Sequence, residues 1–348
     1  MQLNPSNFKH LFPTGASNQA PTPAPVGGSN WDSGLGGFSP DQLAFSPSAN
    51  PASREGMLAI FSAGVSRDLA GANQQQKLQA ELSRLTDGQL RSMQGLLDQA
   101  GTQAEQVFIL KAFVAGEPWQ NLVQFAGEMR GMPENEIIRR ATMRDDSDVI
   151  QQWQDSCGPT LVQALAGEAD PRFAWELNKA GDLARIDPVG ANQLIANQQK
   201  EWLERYGGAA VQRGAAGGQG MALNQILDDM MGPLIGANYQ TVEVDGSAQG
   251  KVNATERMAQ TLEGGYDVPL RISWSQPGST GDAGHFVLAM ASRGAPGNRE
   301  FQIHDPWTGK TAWIKQQDIA RDSFAPTFGS FARLSHTYEA QPTQTALA

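Results

Sequence analysis

Residues 149–161 read VIQQWQDSCGPTL and hold the only cysteine in a chain of 348 residues, Cys157. The run directly after it, GPTLVQALAGE, suits a helix that starts at the thiol. Pro159 fits an early helical position, where its missing N–H costs nothing, and Leu161 and Leu165 fall on one face. Cysteine attacks as the thiolate, and a helix N-terminus stabilises negative charge there, so this placement suits a nucleophile. Gly158 would let a substrate backbone approach closely. Against this stands the plainer reading of a lone cysteine as a small buried hydrophobe.

Downstream residues supply partners. In STGDAGHFVLAM, His285 opens an apolar strand straight after a turn, where its ring can project into a cleft and activate the thiol. In FQIHDPWTG, Asp305 ends the following strand, so two neighbouring strands can bring its carboxylate to the imidazole and fix the tautomer. Asp before Pro is also a common turn opener. His304 would point to the opposite face of that strand. Upstream, Gln151 offers a side-chain amide which, with the backbone N–H of Cys157, could hold an oxyanion; Gln152 and Gln154 stand beside it. Trp153 and Trp307 flank the cysteine and the aspartate, as cleft walls or as simple packing. Glu168, Asp170 and Asp282 lie in expected loops, where solvated carboxylates are the rule.

Gln, five residues, Cys-Gly, then Gly-His-Phe-Val, then Asp-Pro on the next strand: this order resembles the papain-like cysteine peptidases. Within them it is most similar to the bacteriocin-processing, double-glycine-leader peptidases and their stand-alone relatives. The likeness covers about residues 149–320, and the histidine follows the cysteine at close to the roughly 130–150 residues of papain-type enzymes. It implies an α+β, papain-like fold, in which a helix carrying the cysteine packs on an antiparallel sheet carrying histidine and aspartate. It also implies roles: Cys157 as nucleophile, His285 as general base and acid, Asp305 as its orienter, Gln151 as oxyanion donor. There are departures. Ser156 stands where the family commonly has an acid, the insert between Cys157 and His285 is long, and no transporter segment comes after. Cleavage after Gly-Gly is therefore not implied.

The rest of the chain frames this unit. Residues 1–50 are rich in Pro, Gly, Ser and Asn and nearly uncharged, which predicts disorder and resembles the N-termini of bacterial type III secreted effectors. Residues 51–145 read as a bundle of four or five helices, with a capping box at Thr102 and Glu105, a helix stop at Gly116 and Pro118 opening the next helix. An acidic joint (143–149) leads to the peptidase-like domain, residues 146–335, whose second half carries the strand-like runs YQTVEV, PLRISW, GHFVLAM, REFQIHD and KTAWI. The glycine-rich stretch 207–220 has no phosphate-binding fingerprint. Residues 336–348 are expected to be a loose tail. A formal net charge of −10 without a basic stripe argues against nucleic acid and anionic membranes as partners, and no apolar run is long enough to insert into a bilayer. One cysteine and four scattered histidines suggest no zinc site, and no cofactor is expected. The expected partners are a protein or peptide substrate and, at the N-terminal region, a secretion chaperone. The expected location is outside the bacterium or inside a target cell, otherwise the cytoplasm. The same thiol chemistry would serve a glutamine deamidase, a transglutaminase or a peptidoglycan amidase. A non-catalytic interaction protein, or a helical block acting as an inhibitory pro-segment, are further readings.

Overall fold

The structure, a computed structural model, describes residues 53–65, 72–143, 149–152, 156–186, 188–206, 223–275, 282–323 and 333–342. The expectations for residues 1–50, for Trp153 and Gln154, for the side chain of Asp282 and for the stretch 207–220 lie outside the described residues. Among those described the fold is α+β, with twelve helices and one open, six-stranded antiparallel sheet.

Six helices come first: α1 (Arg54–Val65), α2 (Ala72–Arg84), α3 (Asp87–Asp98), α4 (Gln103–Val114), α5 (Trp119–Met129) and α6 (Glu134–Ala141). The expected four or five are one or two short. In α4 the sequence QAEQVFILKAFV is apolar nearly all round, so the helix is buried on nearly every side at the centre of the block. Thr102 caps α4, but Glu105 turns its carboxylate to the N–H of Gly101, so the capping box expected there is half made. The complete box lies at Thr86 and Gln89, opening α3. Gly116 stops α4 with φ of +90°, a conformation that favours glycine.

Next come α7 (Cys157–Ala169), α8 (Pro171–Ile186), α9 (Pro188–Tyr206) and α10 (Leu223–Ile235). Beyond them the chain forms β1 (Ala237–Glu243), α11 (Ala248–Glu263), β2 (Val268–Ser275), β3 (Asp282–Arg293), β4 (Glu300–Asp305), β5 (Lys310–Lys315), α12 (Gln316–Ala320) and β6 (Arg333–Pro342). The strand order is β1-β6-β2-β3-β4-β5. β6 corrects the loose tail expected from residue 336: Leu334 to Pro342 pair with β2 and β1, Thr337 and Tyr338 are buried, and the chain's last described segment is an interior strand. On β3, Phe286 and Leu288 join one core with α7, α9 and α10, whereas Val287 and Ala289 join another with α11 and α12. Period-two alternation thus delivers both faces of the sheet to helices.

The helical block is welded to the rest. Its core takes in Trp175 of α8, whose indole N–H donates to Glu128 at 2.9 Å. The ammonium of Lys77 donates to the carbonyls of Pro233 and Leu234 at the end of α10, and Arg172 pairs with Glu117 at 3.1 Å. Glu168 and Asp170, expected to be solvated, are corrected here. Asp170 is buried and accepts the N–H of Arg172; its pKa is raised to about 7, by burial first and then by Glu117. Glu168 hydrogen-bonds Asp267, whose carboxyl is pushed well above the usual range, by burial first and then by Glu168. Lys111, buried close by, is lowered to about 8 by burial against the pull of Glu168, Asp170 and Asp267.

Candidate active site

Cys157 is the first residue of α7 and is 7 % exposed. Serine at position 156 would ordinarily cap such a helix with its hydroxyl, yet no side-chain cap is made there. The Ser156 hydroxyl donates instead to Oε1 of Gln199 at 2.9 Å. The α7 start is fastened by the backbone, with Thr160 N–H and hydroxyl both donating to the Ser156 carbonyl. The thiol therefore sits at an N-terminus that the Ser156 side chain does not cap, where the helix dipole favours negative charge.

His285 and Asp305 meet as the sequence suggests. The ring's Nε2 lies 2.7 Å from Oδ1 of Asp305, both residues are buried, and the thiol of Cys157 hydrogen-bonds the same ring. A carboxylate only accepts, so Nε2 carries a proton and Nδ1 is the nitrogen that serves the thiol. Burial works to lower the pKa of His285, but the hydrogen bonds and charges of Asp305 and Cys157 prevail and raise it from 6.5 to about 9. Near neutral pH the ring is thus an imidazolium between a carboxylate and a sulfur.

Asp305 is itself held on all sides. Oδ1 also accepts the N–H of Trp307 at 2.9 Å, Oδ2 accepts the Thr308 hydroxyl at 3.0 Å, and its carbonyl accepts from Gly309. Asp305 is therefore both the turn opener and the histidine's partner. Gly309, with φ of +66°, closes that turn. Trp307 is 59 % exposed and meets the His285 ring edge-on, with centroids 6.1 Å apart, so it stands beside the pair at the surface. His304 lies apart, buried against the Thr311 hydroxyl on β5 at 3.3 Å.

Gln151 reaches this place through its backbone, whose N–H donates to the Pro306 carbonyl at 2.7 Å, next to Asp305. Its neighbours on both sides are gripped by Gln199 of α9. Oε1 of Gln199 accepts the N–H of Gln152 as well as the Ser156 hydroxyl, and Nε2 donates to the Ile150 carbonyl and to Gln163 of α7. Sequence reasoning missed Gln199, in the polar run NQQKE, and Gln163, a lone amide in the apolar run TLVQALAG; neither carries a local signal of a role. Thr308 it could have found, since Asp followed three residues later by Thr is a common turn closed by side chains.

No protein-family model, curated protein or solved structure matches the chain. Among the described residues no group of three or more His, Cys, Asp or Glu is placed to hold a metal ion, and no helix is long and apolar enough to cross a membrane.

Proposed function

We propose that the chain is a papain-like cysteine hydrolase that cleaves amide bonds through an acyl-thioester. The observation that carries this reading is the buried line Cys157–His285–Asp305, with the thiol at a helix N-terminus and the ring on a 2.7 Å bond to the carboxylate. The Cys157 sulfur, as thiolate, attacks the substrate carbonyl carbon. The carbonyl electrons move to oxygen, where the Cys157 N–H and the Gln151 amide act as donors. Nδ1–H of His285 passes its proton to the leaving nitrogen as the C–N bond breaks, which leaves a thioester and neutral imidazole. The imidazole then takes a proton from water as its oxygen attacks the thioester, and collapse releases the acid and restores thiolate and imidazolium. Asp305 keeps Nε2 protonated throughout and stabilises the ring's charge.

The helical block works in this account as part of the fold. Trp175 of α8 completes the block's core, so cutting the 143–149 joint would leave the pieces packed together, which disfavours a pro-segment that is shed. The composition of residues 1–50 supports delivery outside the cell, a point read by fusing residues 1–50 to a reporter and following its export.

The test of function is product analysis. The purified chain, incubated with a mixture of tryptic peptides and a primary amine, is expected to give new peptide termini by mass spectrometry, and Cys157→Ala none. Ammonia release or amine incorporation at glutamine, with no new termini, would move the assignment to a deamidase or a transglutaminase. No Cys157-dependent product of any kind would overturn it.

A further inference from the structure

We propose that Gln199 is a positioning residue that sets the oxyanion donors of this site, an inference that rests on the hydrolase reading above. Its side chain is fully buried and uses its whole hydrogen-bonding capacity. Two donors bind Gln199 Oε1, the N–H of Gln152 at 2.9 Å and the Ser156 hydroxyl at 2.9 Å. Two acceptors take its Nε2 protons, the Ile150 carbonyl at 3.0 Å and Oε1 of Gln163 at 2.9 Å. The amide has one workable orientation, because a backbone N–H can only donate and a backbone carbonyl can only accept. Gln163 is fixed in turn by donating to Gln198 at 2.6 Å, so the clamp joins α7 to α9 twice.

The bonds fall at telling places. Ile150 and Gln152 bracket Gln151, and Ser156 immediately precedes Cys157. The two groups that would face a developing oxyanion, the Gln151 amide and the Cys157 N–H, therefore take their relative position from one side chain far along the chain. Gln199 also holds the Ser156 hydroxyl, which fixes the residue directly before the Cys157 N–H. A buried amide that grips the chain on both sides of one donor and directly before the other is more than packing.

The single thiol allows a clean test, because two reagents ask different things of it. Iodoacetamide is attacked at carbon with loss of iodide, and no oxyanion forms. p-Nitrophenyl acetate is attacked at its carbonyl through an oxyanion, with loss of p-nitrophenolate. The ratio of acylation to alkylation rate thus reports the oxyanion donors and cancels changes in the thiol itself. Gln199→Leu is expected to lower this ratio at least ten-fold, and Ser156→Ala, which removes one of the four bonds, to lower it about three-fold, with alkylation within two-fold of wild type. Should Gln199→Leu fail to fold by circular dichroism, Ser156→Ala and Gln199→Glu decide; the glutamate keeps both accepted bonds, loses both donated ones, and is also expected to lower the ratio. An unchanged ratio in the folded variants, or two rates that fall together, would overturn the inference while leaving the hydrolase reading intact. If His285→Ala alters neither rate in otherwise wild-type protein, the hydrolase reading fails and this inference falls with it.

Discussion

Asp305→Asn separates charge from geometry at the proposed site. The asparagine carbonyl can still accept from Nε2–H of His285 and from Trp307, and the Thr308 hydroxyl can rotate to accept from the new amide, so the turn should keep its shape. What disappears is the negative charge beside the ring. The rise of His285 from 6.5 to about 9 corresponds to roughly 3 kcal/mol in favour of imidazolium. Burial acts in the opposite sense, so Asp305 and Cys157 together supply more than this sum. If Asp305 provides half of the upward push, its neutralisation leaves the ring below about 8, because half the push then faces the whole burial penalty. The assay is a two-dimensional nitrogen–proton NMR titration of the imidazoles, with His285→Ala to assign the signal. His336 should not interfere, since burial and Arg271 lower its value. A ring in Asp305→Asn that still titrates near 9, or a wild-type ring that titrates near 6.5, would refute the reasoning.

The same contacts set other outcomes. Trp175→Ala should lower stability by about 3–5 kcal/mol, because it empties a fully packed site where α8 enters the core of the helical block, and a urea melt reads this directly. Thr308→Val removes one hydrogen bond to Asp305 and should cost about 1 kcal/mol of stability, with thiol acylation by p-nitrophenyl acetate slowed a few-fold. Asp170 and His285 both bind protons more tightly in the folded chain, so their contributions are fully present below pH 3.8 and 6.5 and are lost as the pH rises through about 7 and about 9. Lys111, lowered to about 8, is still mostly protonated at pH 7.5 and changes little below it. The melting temperature should therefore fall between pH 5 and 7.5, and Asp170→Asn should flatten that fall; an unchanged slope in the variant would contradict the burial account of Asp170.

The site was legible where its signals are local. A cysteine before Gly-Pro at a helix start and an aspartate ending a strand sit at element boundaries that the sequence marks; the histidine, expected to open its strand, is the fourth residue of β3, which begins at Asp282, and the structure places all three together. Gln199 was not legible, because its meaning lies in contacts with residues 150–156 and 163 that only the packing of α9 on α7 creates. The strand β6 was hidden for a different reason. RLSHTYEAQP is mostly polar, yet it is flanked on both sides by β1 and β2, and its few apolar residues, Leu334, Tyr338 and Ala340, pack into the two cores. α11 was missed because Ala254, Thr255 and Ala259 form a small-residue stripe that carries little hydropathy signal. Asp170 misled in the opposite sense: a carboxylate read as solvated is buried, and its charge acts on Lys77 and Lys111 of the helical block.

The central claim is that Cys157 and His285 work as one unit, and the rate of iodoacetamide alkylation at pH 6 tests it most directly. An isolated thiol is almost wholly protonated there and reacts slowly. The account predicts that the folded chain alkylates at least ten-fold faster than free cysteine, and that His285→Ala loses most of that advantage with the fold intact by circular dichroism. Equal rates for wild type and His285→Ala, neither above that of free cysteine, would contradict it.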